Sequence, residues 1–167
     1  MVKKVPKLDV ARMGDDKALA IAAYGESVSA YRYIVLAEKA HTDVLRQSFQ
    51  DMVQRENVQR ETLQGLMAQL FPAACFFLTA DDKSLVCIGP RLVDARDDAR
   101  FDEAMRLIVA SEKRSMSFYR RYAQLAEHPQ VKILFEQLNQ DGLERVKKLR
   151  QLFLEAGKPI IEACPIQ

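Results

Sequence analysis

Tryptophan is absent from this sequence, and glycine and proline number only six each among 167 residues. So few turn formers argue against a sheet protein of many short strands and favour long helices. Cysteine occurs three times, at Cys75, Cys87 and Cys164, an odd count with no Cys-x-x-Cys spacing. Free thiols in a reducing cytoplasm are the simplest account, and a cytoplasmic location is the expectation. No apolar run approaches the roughly 20 residues needed to span a membrane. The start, MVKKVPKLDVARMGDDKA, has lysines but lacks the apolar core of a secretory signal. A formal charge of +2, with bases and acids interspersed, gives no reason to expect nucleic acid or a membrane as partner.

What is present is hydrophobic residue in quantity, 49% of the chain, enough for a single domain over residues 1–167 with a substantial core. Asp15 and Asp16 precede an alanine-rich helical pattern that runs to about His41, where acids suit the positive helix end. Thr42 or Asp43 can cap a second helix from about Val44 to Leu70, with Phe49, Met52, Leu63, Leu66 and Leu70 at helical spacing and Pro72 beyond it. A third helix is expected from about Ala99 to Glu127. Pro129 suits the first turn of a fourth, which ends near Ala156 before Gly157 and Pro159. Between the two hairpins, residues 71–98 form a long joint containing FFLTADDKSLVCI. Its apolar ends around a polar turn fit a short β-hairpin. A second helix of about 40 Å, at roughly 1.5 Å per residue, is short enough for this joint to run its length. Helices two and three would then lie parallel.

The chain also matches itself. At an offset of 86 residues Glu26 falls on Glu112, Tyr33 on Tyr119, Ala37 on Ala123, Phe49 on Phe135, Leu63 on Leu149 and Leu66 on Leu152, without a gap. The two hairpins read as copies. Seven residues are close to two helical turns, so Glu26 shares a face with Tyr33, and Glu112 with Tyr119. That face is otherwise apolar, with Ala22, Ala30 and Ala37 in one copy and Ile108, Met116 and Ala123 in the other. A glutamate in such a stripe is costly unless paired, protonated or bound to a cation. Two symmetric ones point to a shared central site.

With AYGESVSAYRYIVLAEKA, SFQDMVQRENVQRETL and IVASEKRSMSFYRRYAQLAEHPQVKILFEQL in this duplicated spacing, the sequence resembles the rubrerythrin branch of the ferritin-like superfamily over about residues 16–156. The resemblance implies an all-α fold, a ferritin-like four-helix bundle of two hairpins joined by a long crossover, and a homodimer. The apolar FF and LVCI segments of the crossover are candidates for the dimer contact. It also implies a diiron centre reducing peroxide or dioxygen, each hairpin giving one Glu and one Glu-x-x-His. Carried over by residue, Glu26, Glu56 and Glu112 match ligand glutamates, while Gln59 stands where the first histidine belongs. The offset places Gly142 at the last glutamate position and Arg145 at the last histidine position. Tyr33 and Tyr119 match tyrosines whose hydroxyls bond ligand glutamates across the pseudo-twofold. Long rubrerythrins carry a rubredoxin-type iron–sulfur tail with paired Cys-x-x-Cys, a motif missing here.

Two arrangements of the three glutamates remain open. They hold a single oxygen-ligated divalent ion together with Gln59 or water, or Arg145 fills the vacated volume and salt-bridges to them. The second is favoured, because a lost acid and a gained permanent cation both weaken divalent-ion binding. The expected cofactor is thus none or one divalent metal ion, against two irons for an oxidoreductase; a non-catalytic interaction module is the third class. An alternative register would bring in Asp141 and Glu144, though the repeat argues against it. His41 and His128 lie near the helix turns, too far from the bundle centre to replace a ligand. Arg114, Arg120 and Arg121 read as a solvated face. Cys75 and Cys87 read as packing thiols, with pairing or redox activity as the sharper alternative.

Overall fold

Helix boundaries in the computed structural model, which describes residues 9–155, follow local chemistry. A 3-10 turn at Val10–Arg12 leads into α1 (Asp15–Lys39), which carries Asp15 and Asp16 in its first turn. α2 (Asp43–Leu70) starts at Thr42, whose hydroxyl accepts from the Leu45 N–H. The short α3 (Ala80–Ser84) lies in the crossover. α4 (Asp98–Ala123) is capped by Asp97, and α5 (Pro129–Glu155) opens on a proline, which has no N–H to leave unpaired there. α4 ends before Glu127, where a turn begins, with Leu125 N–H and Ala126 N–H both bonding the Tyr122 carbonyl. The expected stop at Gly157 and Pro159 and the thiol of Cys164 lie outside the described residues.

The expected β-hairpin in the crossover is not there. Among the described residues there is no strand. Thr79 and Asp82 form a reciprocal cap instead: the Thr79 hydroxyl accepts from Asp82 N–H, and the Asp82 carboxylate accepts from Thr79 N–H. This Thr-x-x-Asp pairing starts a helix where the hairpin turn was expected. Asp82 is fully buried and also meets Lys17 Nζ at 3.1 Å. Within the LVCI segment Val86 is buried, while Leu85, Cys87 and Ile88 are half-buried. Val86 packs against Gly25 so closely that a Cβ there would stand 2.8 Å from Val86 Cβ.

End-to-end contacts fix the topology. His41 Nε2 lies 2.8 Å from Asp98 Oδ1, so α1 ends where α4 begins. At the other end Asp15 accepts from the Tyr122 hydroxyl at 2.7 Å and from the backbone N–H groups of Glu127 and His128. α2 and α4 therefore run parallel. α1 packs chiefly on α2 and α4 chiefly on α5, with thinner α1–α4 and α2–α5 seams closing a ferritin-like bundle. No helix among the described residues is long and apolar enough to cross a membrane.

The core comes in two apolar halves. One gathers Leu19, Leu63, Phe118, Phe135 and Leu138, and the other Leu36, Phe49, Phe101, Ile108 and Leu149. Repeat-related aromatics support both: Tyr33 stacks near Phe49 at 6.3 Å between centroids, and Tyr119 meets Phe135 edge-on at 5.6 Å. Along the helices, the polar layer of Glu26, Glu56, Glu112 and Arg145 falls between the two halves.

Candidate functional site

Helical periodicity aims four charged side chains into this dry layer, one from each long helix. Glu26, Glu56 and Glu112 are 2%, 0% and 2% exposed, and Arg145 is 4% exposed. Charges at such depth carry a desolvation penalty of several kcal/mol each unless paired. Arg145 is the partner. Its Nε donates to Glu112 Oε2 at 3.1 Å, its Nη2 stands 3.1 Å from the same oxygen, and its Nη1 donates to Gln59 Oε1 at 2.9 Å. Nη2 is 3.9 Å from Glu26 Oε1, which is charge proximity without a hydrogen bond.

The tyrosines bond crosswise. The Tyr33 hydroxyl donates to Glu112 Oε1 at 2.9 Å and the Tyr119 hydroxyl to Glu26 Oε1 at 2.6 Å, each from one repeat into the other. Burial pushes both phenols well above their ordinary pKa, and the neighbouring carboxylates add to the effect. They are therefore donors across the whole physiological range.

Glu56 differs from the other two. Arg145 Nε lies 2.8 Å from Glu56 Oε1, yet that N–H is directed at Glu112, and neither Glu56 oxygen has a hydrogen-bond partner; nor does Glu26 Oε2. Angle rather than distance decides here, so Glu56 draws on the guanidinium charge alone. Burial, then the Glu26 charge, raise the Glu56 carboxyl well above the usual range. A protonated Glu56 can donate to Glu26, which supplies the missing partner. Burial also raises Glu112, with Arg145 pulling it back. Arg145 itself, which burial alone would push toward neutrality, is held cationic by Glu112, Glu56 and Glu26.

A family model described as rubrerythrin matches residues 17–142. The chain belongs to the rubrerythrin family. Among solved structures, a hypothetical protein from Pyrococcus furiosus is similar with a TM-score of 0.72 and 19% identity, over 91% of this chain and 99% of that one; at that identity the likeness speaks for the fold. No functionally curated protein matches.

The three glutamates, both tyrosines and Arg145 of this rubrerythrin-family chain thus meet in one cluster. Gln59 borders it, its amide donating to Asp141 Oδ2 at 2.6 Å while its oxygen faces Arg145. Asp141 reaches the site through Gln59, and Glu144 is exposed. Gly142 is buried against Met116. Among the described residues no group of three or more His, Cys, Asp or Glu side chains has a metal-holding arrangement. His41 and His128 pair with Asp98 and Asp15 at the bundle ends. A cavity of about 500 Å³ between α2 and α5, lined by Gln54, Gln59, Thr62, Asp141, Glu144 and Arg145, leads from solvent to this network. Cys75 is an exposed free thiol and Cys87 a half-buried one. Arg120 and Arg121 are exposed, while Arg114 is half-buried and donates to the Ser84 carbonyl.

A second buried guanidinium went unread in the sequence. Arg32, 1% exposed, donates to Ser111 Oγ and to the carbonyls of Ile88 and Pro90 at 2.8, 2.8 and 2.7 Å, pinning the crossover to α1 and α4. A signal existed, since the repeat places Arg32 opposite Phe118, a core position.

Proposed function

We propose that this member of the rubrerythrin family carries a degenerate diiron site in which a guanidinium takes over the role of the cation, leaving at most weak or single-ion binding. The observation that carries this reading is the contact of Arg145 with Glu112 and Glu56, at 3.1 and 2.8 Å, inside the bundle. The donor set does not fit two irons. It has three carboxylates and no imidazole, Gly142 offers no ligand, and Arg145 holds a permanent positive charge among the acids. Peroxide or dioxygen chemistry of the diiron type has no support in such a set.

One observation favours a second reading, a single oxygen-ligated ion. Glu26 Oε2 and both Glu56 oxygens are buried without hydrogen-bond partners. A proton on Glu56 satisfies two of these three atoms, bridging one Glu56 oxygen to Glu26 Oε2, without adding a second cation beside Arg145, so the ion is the weaker account. Elemental analysis of protein prepared without chelator tests both. One ion or fewer per chain is expected. Two irons with an oxo-bridged absorption band would overturn the proposal.

A further inference from the structure

The internal repeat allows two helix contacts to be compared directly. At the 86-residue offset Met116 of α4 corresponds to Ala30 of α1, and Gly142 of α5 to Glu56 of α2. In the first copy a small residue on the first helix accompanies a glutamate on the second. In the second copy the sizes are exchanged.

The exchange is tight. A Cβ on Gly142 would stand 2.6 Å from Met116 Cγ and 3.3 Å from its Sδ, with Arg145 Nη2 a further contact at 3.8 Å. Optimal carbon contacts lie at roughly 3.5–4.0 Å, so nothing larger than hydrogen fits at 142 while Met116 keeps its rotamer. Cγ is close to the backbone, and clearing it takes a change of χ1 rather than a bend of the side-chain tip. Glycine in a helix interior is unfavourable relative to alanine. Its presence within α5 therefore has a packing reason, and Met116 supplies it.

We propose that Met116 is a specificity-determining residue of this site: it occupies the volume that a ligand side chain at 142 requires, and so closes the second half-site sterically where Arg145 closes it electrostatically. The proposal rests on the reading of the site as degenerate and extends it. Replacing Arg145 alone is then insufficient to recover a second ion.

An alanine cycle tests the steric claim with Arg145 untouched. Gly142→Ala should lower Tm in the intact chain. In a Met116→Ala background it should raise Tm by about 2–4 °C, because helix propensity then acts unopposed. The same shift in both backgrounds overturns the proposal, whatever the metal content of the intact protein. Cobalt(II) stoichiometry tests the consequence for ligation, measured after dialysis on the Gln59→His, Gly142→Glu, Arg145→His variant with and without Met116→Ala. Two ions per chain are expected only with Met116→Ala, and two with Met116 retained overturn the proposal. Should the multiple variants fail to fold, the alanine cycle decides alone. Two irons in the intact chain would instead defeat the degenerate-site reading, leaving the alanine sign change to stand or fall on its own.

Discussion

Replacing Arg145 by leucine removes the positive charge and leaves the volume nearly filled, so the loss can be worked from the carboxyls it faces. Glu112 has both the Nε and the Nη2 contacts, each 3.1 Å, and is the group most exposed to the change. Without the guanidinium, burial and then the Glu26 charge act on it against the Tyr33 hydrogen bond alone, and the carboxyl is expected to stay protonated in the folded state. Its ordinary value is 4.5. Holding it protonated at pH 7.5 costs about 4 kcal/mol at roughly 1.36 kcal/mol per unit, against about 1.4 kcal/mol at pH 5.5. The sign follows from proton counting. A group with a raised folded pKa keeps its proton while the unfolded chain releases it, so stability falls as pH rises above about 4.5 until the folded value is passed. Arg145→Leu should therefore cost about 3–5 kcal/mol near neutrality and much less at pH 5.5. Urea unfolding followed by far-UV circular dichroism at the two pH values measures it. A loss below about 1 kcal/mol, or one that does not change between them, would refute the reasoning.

The two tyrosines should not be equivalent. Tyr119→Phe removes the hydroxyl bonded to Glu26, whose other oxygen has no partner beyond a proton on Glu56, and should cost about 1–3 kcal/mol; Tyr33→Phe should cost less, because Glu112 keeps Arg145. Equal losses in denaturant melts would count against the bonding described. Asp15 sets an acid limit. Burial alone would raise its carboxyl, but the Tyr122 hydroxyl and His128 hold it below 3.8, so its stabilisation is present above that value and is lost as pH falls through the lowered one. Asp15→Asn should flatten the decline of Tm below about pH 4, and an unchanged acid limb would exclude this role. We further propose a homodimer through the crossover, where Phe77 is 95% exposed. Light scattering should give a dimer mass that Phe77→Asp reduces to monomer, and a monomer at high concentration in the unaltered protein would end that proposal.

The helices and the repeat were legible because both are periodic. Glu26 with Tyr33 and Glu112 with Tyr119 announce their shared face by a seven-residue spacing, and the structure joins them crosswise. The crossover was misread because apolar segments around a polar turn suit a hairpin. The Thr79–Asp82 cap, a four-residue signal inside that turn, decides for helix. Arg32 escaped notice between two tyrosines, since an arginine in a helix ordinarily faces water. Met116 was recognised as part of an apolar face, but its contact with Gly142 depends on where two helices meet. Gln59 has the right position for a weak ligand, and its bonds to Asp141 and Arg145 reveal which way the amide points.

What occupies the space among Glu26, Glu56 and Glu112 is the decisive question. Anomalous difference maps from crystals grown with iron, manganese or zinc, collected at each metal edge, address it directly. Guanidinium density from Arg145 and no anomalous peak within about 2.5 Å of those carboxylates, a metal–oxygen bonding distance, is the expected result. A peak there, with Arg145 displaced into the α2–α5 cavity, would contradict it.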